Sequence, residues 1–144
     1  MPPELVLGYE EIDTQHRGIL EAMERAAAAA RAGDLPGTRA AVAALGDVLV
    51  GHFSAEEGFM AESLFPDRGR HKAAHDLFMQ DFAQLGRELS GGLSDLVVQW
   101  VATRVPEWVK FHIRVNDSAL ATYLSSKRYR PAAYSVRSAK PQAS

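Results

Sequence analysis

Every histidine in the chain belongs to one spacing series. His16 stands alone, His52 is followed by Glu56, His71 by His75, and His112 by Asp117. Written as a pattern, this is H…HxxxE…HxxxH…HxxxxD, five imidazoles and two carboxylates in four separate stretches. Residues four apart on a helix share a face, so His52 projects with Glu56 and His71 with His75. A fold that gathers these stretches must bury polar groups side by side. Burying them is costly unless something satisfies their lone pairs.

The sequence around these residues is helical in character. Ala, Leu, Glu, Arg, Gln and Met are abundant, and long segments lack strand-like alternation. The first predicted helix runs from about Asp13, an N-cap residue type, to Arg31, with Ile12, Ile19, Leu20 and Met23 on its apolar face. Gly33-Asp34-Leu35-Pro36-Gly37 breaks the chain. The second runs from about Thr38 to Ser63, with Val42, Leu45, Val48, Leu49, Phe53 and Met60 in apolar register. The third runs from about His71 to Leu89, with Leu77, Phe78, Phe82 and Leu85 facing inward, and Ser90-Gly91-Gly92 is a turn. The fourth covers about Asp95 to Ser125, with Pro106 expected to kink or restart it. Short connections between four helices imply an all-α, antiparallel up-down-up-down four-helix bundle.

The chain has 144 residues and 47% hydrophobic content, enough for one packed domain. With no cysteine, disulfides, iron–sulfur clusters and thiolate sites are excluded, and any metal must take N and O donors. Five of the 16 basic residues lie in 125–144, which leaves 11 against 18 acidic residues, a net of −7 for the remainder. An acidic body argues against a nucleic-acid-binding domain. No signal peptide and no apolar stretch long enough to span a bilayer is visible, so the expected location is the cytoplasm. Residues 1–126 are read as the bundle, and residues 127–144 as a mostly disordered basic tail whose charges serve solubility.

Taken singly, each histidine pair has a plain explanation as a solvated helix pair. Taken together and in order, they point to a metal pair in the bundle core, since imidazoles are neutral donors and two carboxylates can bridge two cations. The common bundle di-iron set is richer in glutamate and uses Glu-x-x-His motifs. A histidine-rich set supplies less negative charge and suits reversible exchange between ferrous and ferric states.

Four stretches carry a resemblance to the hemerythrin family, of the single-domain bacterial kind: GYEEIDTQH over 8–16, HFSAEEGFM over 52–60, HKAAH over 71–75 and WVKFHIRVND over 108–117. It covers roughly residues 5–124 and fills all seven ligand positions. One departure is Leu5-Val6-Leu7, where the family often has a tryptophan. The resemblance implies two iron ions, one held by His71, His75 and His112 and the other by His16 and His52. Glu56, Asp117 and an oxo or hydroxo group would bridge them. It further implies reversible dioxygen binding at the one open position, on the iron of His16 and His52, in a non-enzymatic protein. Leu20, Leu49, Phe59, Met60, Phe78 and Val109, each a turn from a ligand, are the candidate lining of the oxygen pocket. A di-iron enzyme acting on peroxide, dioxygen or nitric oxide is the alternative, and a metal-free interaction bundle is a third reading. Storage, delivery to a downstream oxygenase and sensing through a signalling partner all remain open from sequence.

Overall fold

In the computed structural model, which describes residues 1–131, α1 spans Glu10–Arg31. It begins before Asp13, because that residue's job differs from the one expected of it. Buried Asp13 accepts hydrogen bonds from the backbone N–H groups of Leu7 and Gly8, both at 2.9 Å. This pins the incoming segment, a single 3-10 turn at Pro3–Leu5, against the bundle. Gly8 turns the chain with φ 81°, a value that favours glycine. Glu10, Glu11 and Asp13 place negative charge on the first turn of α1, where the helix dipole welcomes it.

Helix α2 covers Leu35–Ser63 and also starts earlier than the periodicity suggests. Asp34 caps it by accepting from Gly37 N at 2.9 Å, and Pro36 sits in the first turn, where its missing N–H costs nothing. Leu64 ends α2 in the left-handed conformation, and Phe65 N returns to Met60 O at 2.9 Å. Helix α3 covers Arg68–Leu89. The guanidinium of Arg39 on α2 donates to the carbonyls of Leu89 and Ser90, which closes the end of α3. Leu77 is exposed on α3 rather than inward. It lies two residues beyond His75, about 200° around the helix, so it points away from the face that carries the histidine.

Helix α4, residues 95–126, is continuous but not uniform. Ser94 caps it, accepting from Val97 N. Two π-helical turns, Trp100–Arg104 and Ile113–Asp117, interrupt α-helical segments at Asp95–Gln99, Val105–His112 and Ser118–Ser126. Pro106 falls where the α-helical repeat resumes, in the first turn of the Val105–His112 segment, so it restarts the α-helical pattern without ending the helix. The π turn before it absorbs the ring, and the Ala102 carbonyl, left without the N–H that Pro106 lacks, accepts from Arg31 of α1 at 3.4 Å.

The chain is thus an all-α bundle whose neighbouring helices run antiparallel. Its core falls into two apolar clusters. One holds Ile19, Met23, Leu45, Leu49, Phe53, Phe78, Phe82, Val109 and Ile113. The other holds Tyr9, Ile12, Phe59, Met60, Phe65, Leu120 and Leu124. Between them lies a layer of buried polar side chains. No described helix is long and apolar enough to cross a membrane. The start of the expected tail is packed rather than free: the Tyr9 hydroxyl donates to the Tyr129 carbonyl at 2.6 Å, and the Tyr129 hydroxyl donates to Glu62. The rest of the expected tail, residues 132–144, lies outside the described residues.

Candidate metal centre

The polar layer contains His16 from α1, His52 and Glu56 from α2, His71 and His75 from α3, and His112 and Asp117 from α4, none more than 3% exposed. All five imidazoles turn Nε2 toward the two carboxylates. Glu56 Oε1 lies 3.2 Å from both His71 and His75, while its Oε2 lies 3.4 Å from His52. Asp117 Oδ1 lies 3.1 Å from His71 and 3.2 Å from His112, while its Oδ2 lies 2.7 Å from His16 and 3.7 Å from His52. Each carboxylate therefore straddles the layer: Glu56 turns one oxygen to His71 and His75 and the other to His52, and Asp117 turns one to His71 and His112 and the other to His16 and His52. The donor atoms form two groups, each within 4.8 Å: Glu56, His71, His75, His112 and Asp117, and His16, His52, Glu56 and Asp117.

The spacing of His112 and Asp117 is five rather than four, which in a regular α-helix would swing Asp117 away. The π turn at Ile113–Asp117 widens the helix so that five residues make roughly one turn. Both side chains then reach the same layer.

His52 Nε2, Glu56 Oε2 and Asp117 Oδ1 are buried without a hydrogen-bond partner. Native interiors rarely leave such atoms uncovered, and this donor set of imidazole and carboxylate is one that iron accepts. The residues fit a pair of cations.

A family model described as the hemerythrin HHE cation binding domain matches residues 7–124. The chain belongs to the hemerythrin family. It is 27% identical over 118 residues to a bacteriohemerythrin of Stenotrophomonas maltophilia, covering 82% of this chain and 76% of that one. It is 32% identical over 111 residues to hemerythrin-like proteins of Naegleria gruberi and Naegleria fowleri, covering 77% of this chain and 81% of each of those. As a hemerythrin-family chain it carries a cation-binding domain.

The electrostatics of this hemerythrin layer are uneven. Burial, then the charge of Asp117, raises the Glu56 carboxyl well above the ordinary range. Burial works against Asp117 too, but the surrounding imidazoles of His112, His16, His52 and His71 outweigh it and hold that carboxyl well below its usual value. Burial, reinforced by His112 and His71, pushes His75 down to about 2. Burial also lowers His52. His71 resists its burial: the carboxylates of Asp117 and Glu56 beside it raise it to about 9.

Two residues that the spacing series does not single out touch the ring nitrogens on the far side from the layer. His52 Nδ1–H donates to Gln15 Oε1 at 2.6 Å, and His75 Nδ1–H donates to Glu57 Oε2 at 3.0 Å. Each is a sequence neighbour of one candidate ligand but serves another helix's histidine, so only the packing reveals it. Aromatic rings support the same layer. Phe53 stacks on His75 with centroids 4.0 Å apart, and Trp108 stacks between His112 and Phe78 at 4.7 and 4.0 Å.

A small cavity of about 10 Å³ adjoins His16, His52, His112 and Asp117 and is otherwise walled by Ile19, Leu49, Phe53, Trp108, Val109 and Ile113. This is close to the minimum for one water-sized guest. Leu49 and Val109 line it, as the sequence suggests, but four other candidates do not. Phe59 and Met60 lie beyond Glu56 in the second cluster, on the opposite side of the layer. Leu20 lines an outer groove with Pro2, Met23, Pro106 and Lys110, and its neighbour Ile19 takes the inward place. Phe78 is buried behind the Trp108 ring. Antiparallel packing explains the selection. Ile19, Leu49 and Val109 stand three residues from their ligands, all on one side of the layer.

Proposed function

We propose that this chain binds dioxygen reversibly at two iron ions held by the seven clustered side chains, for storage, delivery or sensing. His71, His75 and His112 hold one ion, and His16 and His52 the other. Glu56 and Asp117 bridge both, with a solvent-derived oxo or hydroxo group completing the cluster. When bound, the ferrous pair supplies the two electrons that a dioxygen molecule takes up and returns.

The observation that carries this reading is the position of the apolar cavity. It is lined by both His16 and His52, the position with one fewer imidazole, whereas of the three-histidine group only His112 reaches it, and neither His71, His75 nor Glu56 does. A small uncharged guest placed there meets the position with a coordination site to spare. Ile19, Leu49, Val109 and Ile113 give it apolar walls that do not stabilise water or stray protons. Trp108 and Phe53 fix the His112 and His75 rings by stacking, and Gln15 and Glu57 hold His52 and His75 with Nε2 free for metal. The chain's own work is thus to bind, orient and keep dry.

Stopped-flow mixing of the deoxygenated ferrous protein with dioxygen tests this. A coloured species that forms on mixing and disappears under inert gas over repeated cycles supports it. Immediate irreversible oxidation with no such species overturns it.

A further inference from the structure

The two histidine groups differ in more than number. At the three-histidine position, His75 donates its Nδ1–H to a carboxylate, Glu57, whose side chain is 28% exposed. At the two-histidine position, His52 donates its Nδ1–H to a neutral amide, Gln15. His16 and His112 have buried Nδ1 atoms with no partner. One imidazole in each group is therefore held from behind, in one case by a charged acceptor and in the other by an uncharged one.

An acceptor behind a metal-bound imidazole orients the ring and raises its basicity as a donor. A carboxylate also brings a negative charge near the metal and stabilises its more highly charged state. An amide gives the orientation without the charge. We propose that Glu57 and Gln15 are positioning residues that make the two iron positions electronically unequal. Glu57 favours the ferric state at the three-histidine position, and Gln15 leaves the two-histidine position the more readily ferrous. The first electron withdrawn from the reduced pair then comes from the iron of His71, His75 and His112. The iron beside the cavity stays ferrous. This rests on the di-iron reading above.

Two variants separate charge from orientation. Glu57→Gln keeps an acceptor for His75 and removes the charge, and Gln15→Glu keeps an acceptor for His52 and adds one. Each is made in the full chain, loaded with ferrous iron anaerobically, assayed for iron, and titrated oxidatively with an optical readout. The one-electron-oxidised form is also trapped for electron paramagnetic resonance. The expected results are a higher first midpoint potential for Glu57→Gln, a lower one for Gln15→Glu, and a resonance spectrum altered in the Glu57→Gln/Gln15→Glu double variant as the ferric ion changes place. Glu57→Ala, which lacks the acceptor, should bind iron about 10–100-fold more weakly, and Glu57→Gln should restore that affinity without restoring the potential.

Glu57→Gln with two irons and an unchanged first midpoint potential would overturn the inference and leave Glu57 a purely orienting group. Wild-type protein that holds no iron pair would overturn the di-iron reading itself, and this inference with it. The iron assay distinguishes the two failures.

Discussion

His75 Nε2 and His112 Nε2 face each other across 3.1 Å of the dry interior. Glu56 Oε1 lies 3.2 Å from the first, and Asp117 Oδ1 lies 3.2 Å from the second. A single proton can serve one pair among these four atoms, whereas a cation serves all of them. Truncating one member should therefore empty the position. Purified His112→Ala and Glu56→Ala are expected to hold fewer than two irons per chain by metal analysis while keeping a helical far-ultraviolet spectrum. Either variant retaining two irons would contradict the assignment.

The iron-free protein should lose stability as the solution becomes alkaline. The His71 imidazole, ordinarily near 6.5, is raised to about 9 in the fold. Its contribution is complete below the lower value and is lost as pH rises through the upper one. Glu56, also raised, has the same sign, because the unfolded chain ionises first. His75, lowered to about 2, and Asp117, also lowered, act oppositely and weaken the fold on acidification. Thermal unfolding followed by circular dichroism should show the iron-free Tm falling between pH about 6.5 and about 9. In the loaded protein the His71 lone pair is taken by metal and the fall should vanish. Mild acid should instead strip the iron, because bound imidazoles must be neutral. An iron-free Tm that climbs over the same interval would contradict the layer's electrostatics.

How much of this was legible in the sequence depends on what each position requires. The ligand faces of α2 and α3 follow from spacing alone, because His52, Glu56, His71 and His75 obey the ordinary helical repeat. His112 and Asp117 do not, and only the π turn at Ile113–Asp117 reconciles them. Pro106 reads as a kink or restart, but the sequence does not show that Arg31, more than seventy residues away, takes up the Ala102 carbonyl. Of the six candidates for the cavity wall, only Leu49 and Val109 line it. Distance from a ligand along the helix is visible in the sequence, but Phe59 and Met60 fall on the wrong side of the layer, and that depends on how neighbouring helices align. Gln15 and Glu57 were hidden for the same reason, since each serves a histidine on a neighbouring helix.

Asp13 lies in the same stretch as His16, yet its role is mechanical. Its carboxylate holds the Leu7 and Gly8 amides. Asp13→Ala leaves those donors without their partner and should cost about 1–3 kcal/mol in denaturant unfolding. Iron content should stay unchanged. Loss of iron from a folded Asp13→Ala protein would make the residue part of the centre.

Leu49 is fully buried and forms one wall of the cavity. Leu49→Ala should cost about 2–5 kcal/mol of stability through the enlarged void. It should also let water approach the two-histidine position, so the oxygenated protein is expected to autoxidise faster, as read from the decay of its visible spectrum. An unchanged lifetime would show that Leu49 does not shield the centre.

The convergence of seven side chains on two cations is tested most directly by anomalous diffraction at the iron edge from crystals of the loaded protein. The expected map has two peaks in the polar layer. One lies among His71, His75 and His112 and the other beside His16 and His52, with Glu56 and Asp117 between them. A single peak, or none within reach of these residues, would contradict it.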